Sequence, residues 1–569
     1  MADLLSVLAP RFEAAISAAF GIEADPVLRA STQGGVDVQA NAAMALGKQL
    51  GRPPREIANE VVAALDVADI ASNVEVAGAG FINVTLKDEF IASIATDALT
   101  IAGTDPQTVV IDYSQPNVAK EMHVGHLRST IIGDAIARVL GYLGHRVIRQ
   151  NHIGDWGTNF GMLIEHMLDV GETEAAHELS LGDLERFYRE ANAKFGADEA
   201  FKERARSRVV ALQSGDAETI RLWHLLIDES ERYFTQVYER LNVLLTPDDV
   251  VGESFYNPML DDVAAELETK GLAVIDDGAL CVFPPGFVGR DGKAFPLMVR
   301  KSDGGYGYDA TDLAALRYRV RDLHGDRLVY VVDARQSQHF ALLFAAGEMA
   351  GWLDGAHRAE HVPFGSVLGA DGKPLKTRAG NNVKLIELLD EAVARAEGVV
   401  AEKNPDLPAA ARAEVARMVG IGAVKYADLS NDRVKDYVFD FERMLAFEGN
   451  TAPYLQYAHA RIRSIFRRAE VTAASGSITI GTPEERSLAV ALAGFEPAVV
   501  ATAESLQPHR LATYLFDLAQ TFTAFYEACP ILRAEDDATC QSRLALADLT
   551  ARTLATGLDL LGIEVPDQM

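Results

Sequence analysis

The sequence predicts an α/β fold class, on three observations. Thr108-Val-Val-Ile111 is a short β-branched run ending at the acid Asp112, Arg146-Val-Ile-Arg-Gln150 reads as a second strand, and Leu328-Val-Tyr-Val-Val-Asp333 is a near-continuous apolar run suited to a strand buried on both faces. After the first run, Ile131, Ile132, Ala135, Ile136, Val139 and Leu140 recur at helical spacing, which makes a strand–loop–helix–strand unit. From about residue 396 onward the pattern is almost wholly helical, with no strand-like alternation of any length. Together these predict a Rossmann-type nucleotide-binding catalytic domain at 106–395, an N-terminal α+β domain at 1–105 and a C-terminal all-α helical bundle at 396–569. A chain of 569 residues is far too long for a single core.

Taken in order, the N-terminal part opens with an amphipathic helix and the polar turn Gln33-Gly34-Gly35. Asp37-Val-Gln39-Ala-Asn41-Ala-Ala-Met44 is expected to open a second helix, and Asn73 to Leu86 alternates like paired strands around glycine turns. In the central part, Asn151-His152-Ile-Gly154-Asp155-Trp156-Gly157 is a glycine-rich turn after the second strand. Between about 170 and 300 the pattern changes to charged helices and then to short strands around Pro284-Pro285-Gly286, an insertion that splits the two halves of the nucleotide fold. Pro453 to Arg461 and Leu511 to Tyr526 are aromatic-rich helices of the last part. Aromatics at helical spacing are core more often than base-stacking platforms.

The bulk properties narrow the function. A net charge of −29 argues against generic nucleic-acid binding, so any polyanionic partner must be met by local clusters of cations. Arg461, Arg463, Arg467 and Arg468 form one candidate stripe, and Lys202, Arg204, Arg206 and Arg208 another; solvated helix faces are the plainer reading of both. The N-terminus has no basic region or small-residue cleavage site, and no apolar run is expected to span a bilayer. Three unpatterned cysteines fit a reducing cytoplasm and make no C-x-x-C pair, so no zinc is expected and no metal ligands are assigned.

The chemistry concentrates between the first strand and its helix, in Asp112-Tyr-Ser-Gln-Pro-Asn117-Val-Ala-Lys120-Glu-Met-His123-Val-Gly125-His126. A loop at that position is where open α/β sheets bind nucleotides. Gly125 lets a phosphate or base approach the backbone, and His123 and His126 can both donate to a phosphate chain as its charge grows during transfer. Lys120 adds a cation within one helical turn's reach of both rings.

The whole segment resembles the signature of arginyl-tRNA synthetases, class I aminoacyl-tRNA synthetases, of the bacterial type. The likeness extends over almost the full chain. It implies ATP-dependent activation of L-arginine with release of pyrophosphate, then transfer to the 3′ end of tRNA(Arg), with tRNA itself required for activation. His123, His126 and Lys120 are implied as catalytic, and His123, Gly125 and His126 as ATP-binding, with Mg2+ accompanying ATP. Asp112, Tyr308 and Asp312 are implied in the arginine pocket, Gln336 as a further polar contact, and Asn117 and His152 as holding the amino-acid backbone ends. This matches the chemistry of a planar cation with five donors, best met by carboxylates and aromatic or hydroxyl groups, and the i,i+4 spacing of Tyr308 and Asp312 puts both on one helix face. A carboxylate pocket rejects uncharged analogues by leaving acids unpaired, so an editing domain is unnecessary.

The first 105 residues resemble the family's additional domain, which touches the corner of tRNA; Gln39 and Asn41 are its implied contacts, with a helix cap and an exposed polar neighbour as an equal alternative. Gly557 to Met569 resembles the end of the anticodon-binding bundle, in which Tyr457 and Arg461 are implied tRNA contacts. A monomer in the cytoplasm, without membrane attachment, is the family's default. The second class I element, a lysine-rich loop, reads Gly369-Ala-Asp-Gly-Lys373-Pro-Leu-Lys376-Thr377-Arg378-Ala-Gly380. It fits either a K-x-x-K register on Lys373 and Lys376, or a preferred register that places Thr377 where the usual second lysine stands, with Lys120 compensating. Which lysine reaches the phosphates stays open. Cysteine selection would want a zinc thiolate site and glutamate selection would want arginines facing the substrate; neither fits this chain.

Overall fold

The structure, a computed structural model, describes residues 4–31, 33–101, 105–172, 184–289, 292–376, 383–471, 474 and 476–569. The N-terminal unit comprises α1 (Leu4–Phe20), β1 (Leu28–Ala30), β2 (Val38–Ala40), α2 (Ala42–Leu50), α3 (Pro54–Ala64), β3 (Ala71–Ala77), β4 (Phe81–Leu86) and α4 (Asp88–Thr96). Its four strands form an antiparallel sheet ordered β1-β2-β4-β3. The helix expected from Asp37 begins only at Ala42: Val38–Ala40 before it is a strand, because pairing with β1 and β4 on both sides outweighs a local pattern with a single β-branched residue.

The catalytic half-fold contains β5 (Thr108–Asp112), α5 (Val124–Tyr142), β6 (Arg146–Gln150) and α6 (Asn159–Val170). The inserted segment follows as α7 (Leu184–Ala197), α8 (Glu199–Gln213), α9 (Ala217–Arg240), α10 (Leu260–Thr269) and the antiparallel strands β7 (Ala273–Asp276), β8 (Ala279–Val282) and β9 (Leu297–Arg300). The second half-fold resumes with α11 (Tyr308–Arg321), β10 (Arg327–Tyr330), α12 (Ser337–Met349), β11 (Arg358–His361) and β12 (Val367–Leu368). β11-β10-β5-β6 is an all-parallel sheet, and its buried strands account for the near-continuous apolar runs. The chain leaves β5 toward β6 on one side and returns to β10 on the other. A crevice therefore lies at the carboxyl ends of β5 and β10, the switch point of a doubly wound sheet.

The remaining elements are α13 (Leu385–Lys403), α14 (Ala409–Leu429), β13 (Tyr437–Val438), α15 (Phe441–Met444), α16 (Ala452–Ala469), α17 (Pro483–Ala493), α18 (Phe495–Ser505), α19 (His509–Ala528) and α20 (Asp537–Leu560). The two-residue β13 pairs parallel with β12 and ties the helical part to the nucleotide fold. Helix α5 is buried along most of its length between sheet and bundle, and it even carries a buried Arg128–Asp428 ion pair of 2.9 Å to α14. Contrary to the expectation from sequence, one stretch, Pro483–Ser505, is long and apolar enough to cross a bilayer. It is two helices joined at Gly494, and Leu488, Leu492, Phe495 and Val499 are buried. The Lys202–Arg208 stripe is a partly neutralised face: Arg204 and Arg208 both bond Glu165, and Lys202 pairs with Glu199.

Candidate active site

The loop from Tyr113 to His123 joins β5 to α5 and lines the crevice. His123 is the N-cap of α5 in extended backbone (φ −116°, ψ 173°). Its Nδ1 accepts the Gly125 N–H at 3.0 Å, while the His126 Nδ1 accepts the His123 N–H at 3.1 Å. Two imidazoles thus form a reciprocal capping box. The consequence is chemical: with each Nδ1 used as an acceptor, a neutral ring carries its proton on Nε2, so both rings present an N–H donor. The rings lie 4.2 Å apart, and burial, aided by the neighbouring His123 and Lys120, pushes His126 down to about 3. His126 is therefore a neutral donor at physiological pH. Gly125 is needed by the cap as well as by any ligand, since a Cβ there would lie 2.7–2.8 Å from the His123 ring.

Asn117 pairs with Gly154 across the crevice floor, and a Cβ on Gly154 would lie 2.5 Å from the Asn117 Oδ1. His152 stacks on Tyr256 at 5.4 Å and 14°. Lys120, half-buried, places its Nζ 4.6 Å from the ring centroid of Tyr188 on α7. Lys373 and Lys376 are exposed around a tight turn in which Gly369 N–H bonds the Lys373 carbonyl. Thr377 lies outside the described residues. Just beyond it, Val383 O accepts from Val124 N–H, Leu385 N–H donates to Met122 O, and Lys384 pairs with Glu121 at 2.9 Å. The far end of the lysine loop is thereby fastened to the histidine turn.

On the other wall, Tyr308 opens α11 and is 70 % exposed, its ring edge-on to His339 at 5.4 Å. His339 Nε2 lies 2.6 Å from Asp312 and Nδ1 3.3 Å from Asp309. Those two carboxylates outweigh its burial and raise His339 to about 9, so it is an imidazolium. Glu253 is pushed up to about 7, chiefly by burial and then by Asp155 and Asp312. Gln336 is exposed at the start of α12. Asp112 is only 3 % exposed; its Oδ2 accepts from Arg319 at 2.6 Å, and Oδ1 has no hydrogen-bond partner among the described residues. Asp112 is thus not a freely open carboxylate, but it keeps one acceptor for a further donor. Asp309, Glu253 and His339 escaped the sequence reading because their grouping spans three segments far apart in the chain. Only the i,i+3 relation of Asp309 and Asp312 was there to be seen.

Away from the crevice, Gln39 donates to the buried Asn83 at 2.9 Å, and Asn41 stands at the N-cap position of α2 without a side-chain cap bond. The alternative of a capping role for Asn41 is not what the geometry gives. Tyr457 is 43 % exposed and Arg461 lies 4.3 Å over the Tyr526 ring; both line a cavity of about 330 Å³ shared with Asn404, Arg467 and Met569.

Comparison with known proteins agrees with this layout. Residues 6–86 match the arginyl tRNA synthetase N-terminal domain, 91–441 the class I (R) tRNA synthetase catalytic domain and 455–569 the DALR anticodon binding domain. The arginine–tRNA ligase of Thermobifida fusca is 57 % identical over 579 residues, covering all of both chains, and that of Salmonella heidelberg is 51 % identical over 98 % of each. The arginyl-tRNA synthetase structures from Plasmodium falciparum and Thermus thermophilus superpose with TM-scores of 0.86 and 0.85 at 30 % identity, over the full length of both chains. On these full-length matches and the three family domains in order, the chain belongs to the arginyl-tRNA synthetase family.

Proposed function

We propose that the protein ligates L-arginine to tRNA(Arg) in two steps. The arginine carboxylate attacks the α-phosphorus of ATP, the bond to the bridging oxygen breaks, and pyrophosphate leaves. A terminal ribose hydroxyl of tRNA then attacks the arginyl carbonyl and AMP departs. Little covalent work falls to side chains, so positioning and charge stabilisation carry the catalysis. His123 and His126 donate Nε2–H to the phosphates, and Gly125 gives the nucleotide access to the turn. Lys120, Lys373 and Lys376 supply cations, with Lys120 leaving Tyr188 for the phosphates, and Thr377 takes the place of the usual second lysine. Magnesium arrives with ATP as part of the substrate, and no zinc is required.

Tyr308, Asp312 and the open acceptor of Asp112 receive the guanidinium; Asn117 and His152 hold the amino and carboxylate ends, and Gln336 adds a polar contact. The observation that carries this reading is the reciprocal histidine cap, with His126 held neutral, together with the acidic wall around Asp312. The tRNA corner is met by Gln39 and Asn41 and the anticodon arm by Tyr457 and Arg461, in a monomeric cytoplasmic enzyme without membrane attachment. Bound tRNA is required for activation, which couples distant contacts to closure of the lysine loop.

The test is aminoacylation of total tRNA with each labelled amino acid: arginine alone is expected to be incorporated, and incorporation of another would overturn the assignment. Robust ATP–pyrophosphate exchange with arginine and no tRNA would overturn the tRNA requirement. Asp312→Ala is expected to raise the arginine KM by about a hundredfold or more while ATP binding changes little. An equal loss of both would remove Asp312 from the pocket.

A further inference from the structure

The loop between β5 and α5 is held in a conformation its own sequence disfavours. Ser114, Gln115 and Ala119 all have positive φ (77°, 52° and 57°), a region L-residues with a Cβ enter at a cost of about 1 kcal/mol or more each. Such a loop persists only where its surroundings over-determine it. Much of that determination comes from one inserted helix, α9. Ser230 Oγ, fully buried, accepts the Ala119 N–H at 2.9 Å. A little over two turns later, the buried Tyr238 hydroxyl lies 2.7 Å from Ser114 Oγ and 3.0 Å from Asn151 Nδ2. Asn151 in turn accepts the Gln115 N–H through Oδ1 at 3.0 Å. Each positive-φ residue is thus fastened directly, or through one amide, to α9.

The direction of these bonds follows from proton counting. Asn151 uses Oδ1 as an acceptor, so its Nδ2 donates to Tyr238, and the Tyr238 proton goes to Ser114. Thr130 Oγ1 lies 2.8 Å from the His126 carbonyl, which can only accept, and 2.9 Å from Ser114 Oγ. The Thr130 hydroxyl is the donor in both contacts and shares its proton between that carbonyl and Ser114 Oγ. A continuous set of hydrogen bonds links Asn151, Tyr238, Ser114 and Thr130 to the backbone of His126.

We infer that Tyr238 and Ser230 are positioning residues for arginine activation: through Ser114, Asn151 and Ala119 they hold the loop that carries Asn117 and the histidine turn in its strained, binding-ready form. The inserted helix is then the back wall of the active site. This rests on the proposed role of the loop, so the experiment separates the two. Tyr238→Phe removes one oxygen from a buried ring and keeps its packing. Arginylation by the full-length variant is expected to lose about tenfold in kcat/KM for arginine, with the tRNA KM within about twofold of the parent.

Ser114→Ala should cost a similar factor, and the double variant little more than either alone, because both cut the same chain. Ser230→Ala removes the second anchor and should multiply the Tyr238→Phe loss. Unchanged arginine kinetics in Tyr238→Phe, or fully multiplying effects of Tyr238→Phe and Ser114→Ala, would overturn the inference. So would a loss shared equally by arginine and tRNA kinetics and tracking a lowered melting temperature. Asn117→Ala is the control: if it leaves the arginine KM unchanged, the reading of the loop fails instead.

Discussion

At the scale of single residues, the crevice separates two histidine chemistries. His126, buried beside His123 and Lys120, stays neutral, whereas His339, wedged between Asp309 and Asp312, holds its proton to about pH 9. The folded value of His339 lies above its ordinary 6.5, so the stabilisation it contributes is complete below about pH 6.5 and is lost as pH rises through about 9. The urea midpoint is accordingly expected to fall between those limits, by an amount equivalent to at most about 3 kcal/mol, and His339→Gln should remove that slope. An identical slope in the variant would assign the titration elsewhere. The paired cap makes a different demand. In Gly125→Ala the new Cβ meets the His123 ring, so the ring must swing away and surrender the cap of α5. A stability loss of about 1 kcal/mol is expected, with an activity loss well beyond it, about a hundredfold in pre-steady-state adenylate formation, because a donor to the phosphates is misplaced too. A drop in activity no larger than the drop in stability would deny His123 that role.

At the scale of elements, what was legible in the sequence is what local pattern determines. β5 and β10 were readable because strands buried on both faces run largely apolar, β6, a half-buried edge strand, from the Val147-Ile148 pair after a helix, and α5 because its core face repeats at 3.6 residues. β2 was not, since a three-residue strand with one β-branched side chain takes its conformation from its neighbours. The same limit divides the candidate site. Tyr308 and Asp312 share a helix face and could be paired by spacing. The Arg319 that holds Asp112, the His339 that holds Asp312 and the helix that holds the signature loop are set by contacts across 27 to 207 residues. Where two elements touch, small residues mark the contact. A Cβ on Gly133 of α5 would lie 2.3 Å from the Tyr113 side chain, so Gly133→Ala must push the helix off the end of β5. The expected cost is about 1–3 kcal/mol in urea unfolding, accompanied by reduced arginylation; a variant as stable as the parent would show that Tyr113, though fully buried, can turn aside.

At the scale of the whole molecule, the question is how a helical bundle at one end influences a crevice in the middle. One buried cation joins the parts. Lys425, on α14 and fully buried, donates to the carbonyls of Leu241 at 2.7 Å and Gly562 at 2.7 Å and approaches that of Asn242 at 3.5 Å. The first and last of these end α9, the helix behind the signature loop; the other follows α20 at the close of the bundle. Beside it Asp134 of α5 accepts the Leu244 N–H at 2.7 Å and pairs with Arg138, which donates to Asn242. Four segments, spread along the chain from Asp134 to Gly562, therefore share one polar knot that includes the helix carrying His126. In Lys425→Met the stem is kept and the ammonium lost, which takes the 2.7 Å donor from the buried carbonyls of Leu241 and Gly562 at about 1 kcal/mol or more each, roughly 2 kcal/mol in all, while Asn242 keeps Arg138. Gly562→Ala attacks the same knot from the other side, since its Cβ would lie 2.4 Å from the Lys425 Nζ and its φ of +67° disfavours a side chain. Both variants are expected to lower the urea midpoint and to reduce kcat for arginylation more than the arginine KM, because the pocket itself is untouched while the support of α9 is loosened. Loss of stability with unchanged kcat in both would mean that the knot fastens the bundle without reaching the crevice.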